Sequence, residues 1–458
     1  MKRFGPAAVL RAVIAVGSAT PATAQQRAHA AVQQSSLDNG LQVLVVENHT
    51  APLATVLVAV RTGAMTQGAG DRGLAHLYEH LLFRTYGSDP SFGVDATSLD
   101  AVYNGTTGQE VVTYFLMLPS KNAVKGIGLL AKLLQKARFS DYDLRQELPV
   151  VLNELQRAES DPDQALERQA EQRLWGPDWS RKDIGGDSAT LKAITIGRLQ
   201  ETYARYYVPN NAALVVTGDV AAEEVLAAAR ERFGTWQRAP DPFVEHPIPP
   251  IGAMTGSTAT LVAQPVAHAR IAITLRGPSV AQDTAATYAA DALCDVLNDP
   301  GSAFHRRLVG TGLFQSVSCR YQTLVHVGPI SFEGETTPAK ATAALTTLLA
   351  ELDQVGRLEG VTDEDLSIAK QRRRVRAALA FEASSALAPS LAHWWASGGV
   401  GYYEGFSERV NAQGMDDLRR FAQAYIVTRP RVIAVLAPRV VIERLRAQLR
   451  AASAPNTP

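Results

Sequence analysis

The chain has 458 residues, which is enough for two or three domains and excludes a single small module. Hydrophobic residues make up 46% of it and charged residues 20%, as in ordinary folded proteins and unlike disordered chains. The 45 basic residues balance the 45 acidic residues, so the charge creates no positive field, and no nucleic-acid partner is expected.

Residues 1–24 have the pattern of a secretory signal peptide. A basic pair, Lys2 and Arg3, precedes a mostly apolar stretch, and Ala22-Thr23-Ala24 supplies an A-x-A cleavage pattern. Arg11 interrupts that stretch and no acidic residue occurs in it, so a mitochondrial presequence is the competing interpretation. We expect a periplasmic or secreted protein, with the mitochondrial matrix as the alternative. No later run is apolar enough to span a membrane, so no membrane span is expected.

Hydrophobic periodicity predicts strands and helices in alternation through the first half of the chain. Strands are predicted at 41–46, 53–61, 111–118 and 212–217, and helices at 73–83, 121–137, 141–175, 196–207 and 221–233. The segment 238–256 follows and contains five prolines, whose fixed φ angles and missing N–H groups favour an extended linker.

After the linker the order of elements begins again. Strands are predicted at 260–263, 270–275 and 432–436, and a helix at 284–297. Several matches at an offset of about 218 residues, such as Tyr207 with Tyr425, indicate two copies of one unit. We therefore predict an α+β fold of two homologous halves, each a mainly antiparallel sheet with helices packed on one face. The boundaries are 36–237 and 257–447, followed by a tail at 448–458.

Two cysteines, Cys294 and Cys319, occur in the second half. They are too few for a disulfide framework or a four-thiolate metal site. Buried free thiols and a single disulfide both remain open.

The helix predicted at 73–83 carries the pattern H-x-x-E-H, formed by His76, Glu79 and His80. Residues four apart lie on one face of a helix, so both imidazoles can reach one cation, and Glu79 lies beside them. Imidazole suits zinc, and a catalytic zinc site needs three protein ligands and an open position for water. The third ligand must come from elsewhere in the chain. The alternative is a pair of surface histidines on an amphipathic helix.

Glu147 and Glu154 are seven residues apart, so both carboxylates can lie on one face of a second helix. Here the sequence resembles the H-x-x-E-H zinc peptidases, or inverzincins, of the pitrilysin and insulinase family. The resemblance implies that His76, His80 and Glu154 bind Zn²⁺ and that Glu147 orients a ligand. The alternative is two exposed glutamates on a solvated helix.

The resemblance extends from about residue 36 to about residue 447. Asn104 to Thr106 is similar to the family's N-A-x-T strand entry, and Tyr206 to Asp219 to its Y-x-P-x-N-x-x-L-x-x-x-G-D segment. The length is typical of the short subfamily of bacterial and mitochondrial processing peptidases, which pair two chains into a clamshell. Family ligands are peptides held extended beside a sheet edge, which makes Asn104 a candidate substrate-binding residue.

One departure from the family pattern concerns the second half. Many members carry an Arg and, seven residues later, a Tyr that hold substrate near the zinc, whereas Leu308 and Gln315 stand at the aligned positions here. Three explanations remain open. A homologous partner chain supplies the Arg and Tyr, Arg306 or Arg307 substitutes, or catalysis is weak. The first implies a heterodimer, and a homodimer is the alternative.

The function expected from these observations is that of a zinc endopeptidase subunit acting on peptides or unfolded segments. Glu79 would act as the base that takes a proton from zinc-bound water. One rival is a structural or assembly subunit that keeps the fold without the chemistry. Another is a metal-transport protein, which would need a fourth protein ligand, and none is apparent.

Overall fold

The computed structural model describes residues 32–84, 91–135, 137–382 and 384–453. The predicted signal peptide, residues 1–24, lies outside them. Within these ranges, every helix is too short or too polar to cross a lipid bilayer.

The described residues of the first half form six strands and nine helices. The strands are β1 Gln33–Ser36, β2 Gln42–Glu47, β3 Leu53–Val60, β4 Val102–Thr107, β5 Val112–Pro119 and β6 Ala212–Gly218. The helices are α1 Leu74–Arg84, α2 Phe92–Ser98, α3 Ala123–Gln135, α4 Asp141–Ser160, α5 Pro162–Trp175, α6 Ser188–Ala193, α7 Ile196–Tyr206, α8 Ala222–Phe233 and α9 Pro242–Glu245.

In the second half, the part of the chain that the structure describes contains five strands and eight helices. The strands are β7 Thr258–Ala263, β8 Ala269–Arg276, β9 Ser316–Tyr321, β10 Pro329–Thr336 and β11 Arg431–Ala437. The helices are α10 Thr284–Leu297, α11 Ala303–His305, α12 Ala341–Gly356, α13 Asp363–Glu382, α14 Ser384–Ser397, α15 Val400–Ala412, α16 Met415–Tyr425 and α17 Arg439–Ser453.

Each half forms one mixed sheet in which antiparallel pairs predominate. The strand order is β1-β2-β6-β3-β5-β4 in the first sheet and β7-β11-β8-β10-β9 in the second. Only β2 with β6 and β7 with β11 pair in parallel among the described strands. The predicted α+β fold of two similar sheets with helices is confirmed. Whether the domains end at the predicted residues stays a prediction.

The long helix predicted at 141–175 is wrong, because two helices meet there. α4 ends at Ser160 and α5 begins at Pro162. The Asp161 side chain accepts hydrogen bonds from the backbone N–H groups of Asp163 and Gln164, which caps the second helix. Proline is favoured in the first turn of a helix, where its missing N–H costs nothing.

The two halves exchange one helix each. In β3, Val56 and Val58 face the helices of their own half, whereas Leu57 faces α14 of the second half. Conversely, α5 of the first half covers the outer face of the second sheet, where Leu174 packs with Val432. Each sheet is therefore buried on both faces, and one layer of each half comes from the other half.

Cys294 in α10 and Cys319 in β9 form a disulfide. Of the two states left open by the sequence, the structure contains the bonded one. The bond joins a core helix to the edge strand of the second sheet.

Candidate metal and active site

The start of α1 is fixed by a glutamine and a glycine. Gln67 is buried, and its Oε1 accepts a hydrogen bond of 3.1 Å from the N–H of Ala75 in the first turn. Its Nε2 donates to the carbonyls of Ser180 and Asp183, at 3.0 and 2.9 Å. Gly73 has a φ of +83° and approaches a second backbone segment closely, so a side chain there would be strained and would clash. These contacts set the direction in which α1 presents its histidines.

Three donor atoms converge between α1 and α4. His80 Nε2 lies 3.3 Å from His76 Nε2 and 3.4 Å from Glu154 Oε2, and His76 Nε2 lies 3.8 Å from the same oxygen. All three atoms lie within 4.8 Å of one another. The structure therefore brings together the three residues that the sequence predicts as zinc ligands.

The protonation of the two imidazoles fits a cation. The Nδ1 of His80 is 3.0 Å from Glu147 Oε1, and an ionised carboxylate can only accept, so this nitrogen carries the proton and Nε2 presents a lone pair. Burial, together with the neighbouring His80, lowers the pKa of His76 to about 4, so this ring is neutral at pH 7. Two imidazole nitrogens and a carboxylate oxygen thus face one point, and this donor set suits zinc.

The carboxylate of Glu79 projects from α1 toward the edge strand β4. Its Oε2 accepts a hydrogen bond of 2.6 Å from the Thr107 hydroxyl. A Cβ at position 105 would lie 2.6 Å from Glu79 Oε1. Because Gly105 has no Cβ, the Glu79 carboxylate can occupy this space. Burial raises the pKa of Glu79, while the Thr107 hydrogen bond acts in the opposite direction. A carboxylate with a raised pKa is a stronger proton acceptor.

Asn104 lies on β4, at the open edge of the first sheet. It is exposed, and its Oδ1 accepts a hydrogen bond of 2.9 Å from the N–H of Gly105. Leu308 and Gln315, which stand at the family's Arg and Tyr positions, lie in the second half. Leu308 is fully buried in the second core and Gln315 is exposed just before β9. Neither side chain can supply a cation.

A cleft of about 590 Å³ adjoins the donor cluster, and His76 and Glu154 are among its lining residues. Its other walls include Glu171 and Lys182. Burial and the nearby Glu167 raise the pKa of Glu171 to about 7. The cleft connects the donor cluster with the boundary between the two halves.

Two buried side chains of the first half, Glu110 and Lys182, bind the second half beside this cleft. Glu110 accepts hydrogen bonds from the N–H groups of Val325 and His326, at 2.7 and 2.9 Å, and lies 2.8 Å from the His326 ring. Lys182 donates a bond of 2.6 Å to the carbonyl of Val327. Both contacts hold the loop between β9 and β10, so the second half has a fixed position against the site.

The second half contains a counterpart of this region. Cys319 in β9 corresponds to Gly105 in β4, because each pairs with a buried aromatic residue of the adjacent strand, Phe332 and Tyr114 respectively. Gly105 contacts α1, and Cys319 is bonded to Cys294 of α10. The same position therefore joins the edge strand to the core helix in both halves.

The counterpart lacks the metal donors. Cys294 takes the place of Glu79, so counting along α10 puts Asp291 and Asp295 at the positions of the two histidines. Asp295 forms an ion pair of 2.5 Å with Arg376 of α13. Asp295 is paired with arginines, burial raises the pKa of Asp291 to about 7, and the base position is occupied by a disulfide. Among the described residues, this half therefore contains no equivalent group of metal donors.

Three residues around the site were not predicted from the sequence. Thr107 directly follows the segment singled out as a strand entry, but its contact with Glu79 depends on the pairing of β4. Gln67 lies in a loop, outside the periodic helices and strands, so no sequence pattern indicated its contact with α1. Arg84 lies four residues after His80, so the same spacing that relates the two histidines could have placed it on their face of α1.

Two family models match the chain. Residues 42–179 match the model described as Insulinase (Peptidase family M16), and residues 193–373 match Peptidase M16 inactive domain. Together they cover more than half of the chain. The interval between them, residues 180–192, lies in the first half and contains most of α6.

Several proteins have similar sequences. An uncharacterized zinc protease of Mycobacterium tuberculosis is 26% identical over 362 residues, which are 78% of this chain and 81% of that protein. Another, from Mycobacterium leprae, is 29% identical over 209 residues, or 45% of this chain and 47% of that protein. A probable mitochondrial-processing peptidase subunit beta of Arabidopsis thaliana is 24% identical over 249 residues, 54% of this chain and 46% of that one.

The fold also resembles solved structures. A protease from Helicobacter pylori superposes with a TM-score of 0.79 and 21% sequence identity, covering 89% of this chain and 99% of that chain. This likeness extends over both halves and supports the fold.

Proposed function

We propose that this chain, which belongs to the insulinase family of peptidases (peptidase family M16), is a zinc-dependent endopeptidase subunit that hydrolyses peptides or unfolded segments. The observation that carries the proposal is the convergence of His76, His80 and Glu154 within 4.8 Å, with the Glu79 carboxylate on the same helix as the histidines. A purely structural helix would have no reason to direct two imidazoles and a carboxylate at one point.

His76, His80 and Glu154 would hold the zinc, and Glu147 would orient His80 through its Nδ1–H group. When bound, zinc supplies a Lewis acid that polarises a peptide carbonyl and lowers the pKa of water. The remaining steps belong to the chain itself. Glu79 accepts the proton of the attacking water on its carboxylate and then returns it to the departing amine. Thr107 holds that carboxylate through its hydroxyl.

The substrate would lie extended along β4. This strand is the last in its sheet and contacts α1, so its unpaired backbone groups are beside Glu79. Asn104 would face the peptide there. A chain bound in this way is recognised mainly through its backbone, which suits unfolded segments.

We also propose a homologous partner chain and an exported location. A relative in this family is named a subunit of a processing peptidase, and the Arg and Tyr of the family are absent from positions 308 and 315. The disulfide between Cys294 and Cys319 supports an oxidising compartment, in agreement with the predicted signal peptide. The mitochondrial matrix, the alternative location, disfavours such a bond.

Metal analysis of the purified protein tests the site. We expect about one zinc per chain in the wild type and a large loss of zinc in His80→Ala. His246→Ala, which removes an exposed histidine, is the matched control and should keep its zinc. Full zinc occupancy in His80→Ala would refute the assigned site.

Peptide hydrolysis distinguishes the peptidase from the rival function. The wild type should cleave members of a mixed peptide pool when its partner is present. Zinc binding without hydrolysis under any pairing would favour an assembly subunit, which the absence of the Arg and Tyr also favours.

A further inference from the structure

Arg84 is the last residue of α1 and contacts the buried carboxylate behind the metal donors. Its Nε donates a hydrogen bond of 2.7 Å to Glu147 Oε2. The other oxygen of the same carboxylate, Oε1, lies 3.0 Å from His80 Nδ1. The Glu147 side chain is only 8% exposed, whereas that of Arg84 is 54% exposed. A guanidinium at the surface thus reaches one oxygen of a carboxylate whose second oxygen faces a histidine.

We propose that Arg84 is a positioning residue that acts through Glu147 to hold His80 in its metal-binding orientation. The inference rests on the proposed function, because it assigns His80 to the zinc. Without a donor on Oε2, the Glu147 carboxylate can rotate about its last torsion, which has a broad energy minimum, and Oε1 leaves the Nδ1–H group. The His80 ring then loses the hydrogen bond that fixes its tautomer and its direction.

The positive charge of Arg84 also helps to hold Glu147 and His80 in this arrangement. A buried carboxylate without a cation is costly, so Glu147 needs a positive partner in the absence of metal. Arg84 provides it from outside the donor cluster and leaves the lone pair of His80 Nε2 free to face His76 and Glu154. The contact uses a single N–H group, so a lysine at this position should replace most of it.

The test measures zinc affinity by competition with a chromogenic chelator, using the full chain. Arg84→Gln should raise the zinc dissociation constant by roughly 10- to 100-fold, the usual effect of losing an outer partner of a metal ligand. Arg84→Lys should stay much closer to the wild type. Arg230→Gln removes an exposed arginine of α8 and should leave the constant unchanged. The metal-free proteins, melted in parallel, should all unfold cooperatively, with a lower melting temperature only for Arg84→Gln, in which the buried Glu147 lacks its cation.

A double-mutant cycle with Glu147→Gln shows whether the effect passes through that residue. In the Glu147→Gln background, Arg84→Gln should cause no further loss of zinc affinity. An undiminished loss there, or a dissociation constant in Arg84→Gln equal to that of the wild type, would overturn the inference. If Arg84→Gln failed to fold, a folded Arg84→Lys protein with strongly weakened zinc binding would overturn it as well. A wild type that binds no zinc would overturn the proposed function along with this inference.

Discussion

The acidic residues near the donor cluster differ in environment, and the environment assigns their roles. Glu154 is exposed and points at the imidazoles, Glu147 is buried between an arginine and a histidine, and Glu79 is buried beside a glycine and a threonine hydroxyl. In the proposed mechanism, one type of side chain would thus provide a ligand, an orienting group and a base. The family resemblance implied the roles of Glu147 and Glu154, and the contacts of each carboxylate supply a physical reason for them.

Replacing Glu79 tests the base. Glu79→Gln preserves the shape and can still accept the Thr107 hydrogen bond, but an amide cannot take up a proton. We expect zinc content to be unchanged and peptide hydrolysis to fall by roughly 100- to 10,000-fold. Glu408→Gln, on an exposed face of α15, is the control and should behave as the wild type. Wild-type turnover in the zinc-loaded Glu79→Gln protein would assign the base to another residue.

Glu171 makes stability depend on pH. Its folded-state pKa of about 7 lies above the ordinary value of 4.5, so the folded protein binds this proton more tightly than the unfolded chain does. The stabilisation that the protonated Glu171 gives the folded protein is fully present below pH 4.5 and is lost as the pH rises through 7. The difference between the two pKa values corresponds to about 3 kcal/mol.

Urea unfolding between pH 5 and pH 8 tests this assignment. Glu171→Gln cannot ionise, so its stability should fall less with increasing pH than that of the wild type. At pH 8 we expect it to be the more stable protein by up to about 3 kcal/mol. Parallel pH profiles for the two proteins would contradict the raised pKa.

Helices and strands with regular apolar periodicity were predictable from the sequence. Features that depend on contacts between residues distant in the sequence were not. The strand at 53–61 and the helix at 284–297 lie within a residue or two of β3 and α10, because apolar periodicity reflects burial directly. The break at Asp161 was missed although Asp-Pro is a helix-start signal, since the apolar pattern continues across it. The H-x-x-E-H pattern identified α1 from local spacing, whereas Gln67 and Thr107 act through folding partners that are distant in the sequence.

The disulfide between α10 and β9 is a covalent constraint on the second half. It closes a loop of 25 residues, and removing such a bond should cost about 3 kcal/mol through the entropy of the unfolded chain. We expect the double variant Cys294→Ala, Cys319→Ala to melt at a lower temperature than the wild type. A reductant should lower the melting temperature of the wild type and leave that of the variant unchanged. Equal melting temperatures in the absence of reductant would show that the bond contributes nothing to stability.

For the whole molecule, the main expectation concerns the partner chain. Leu308 is buried and Gln315 is uncharged, so neither supplies a cation or a phenol to a developing oxyanion, and losing one such donor can cost roughly 100- to 1000-fold in rate. This chain alone should therefore be a slow peptidase. It should become active with a homologous partner that lacks H-x-x-E-H and carries the Arg and Tyr.

Peptide hydrolysis by the chain alone and after mixing with such a partner provides the test, with the mass of each species measured by light scattering. We expect activity to rise together with the appearance of the heterodimer. A monomer or homodimer that is fully active, and gains nothing from the partner, would contradict this expectation.

The reciprocal placement of α5 and α14 has a consequence for the origin of the chain. Either half by itself would expose the outer face of its sheet, including Leu57 in one case and Val432 in the other. An ancestor consisting of one unit would have covered that face with the same helix of a second copy, which makes it a twofold dimer by domain swapping. In such a dimer both copies are encoded by one gene, so each mutation alters two sites at once. Fusion removes that restriction. After duplication and fusion, one unit can carry Asp291, Cys294 and Asp295 while the other carries the histidines.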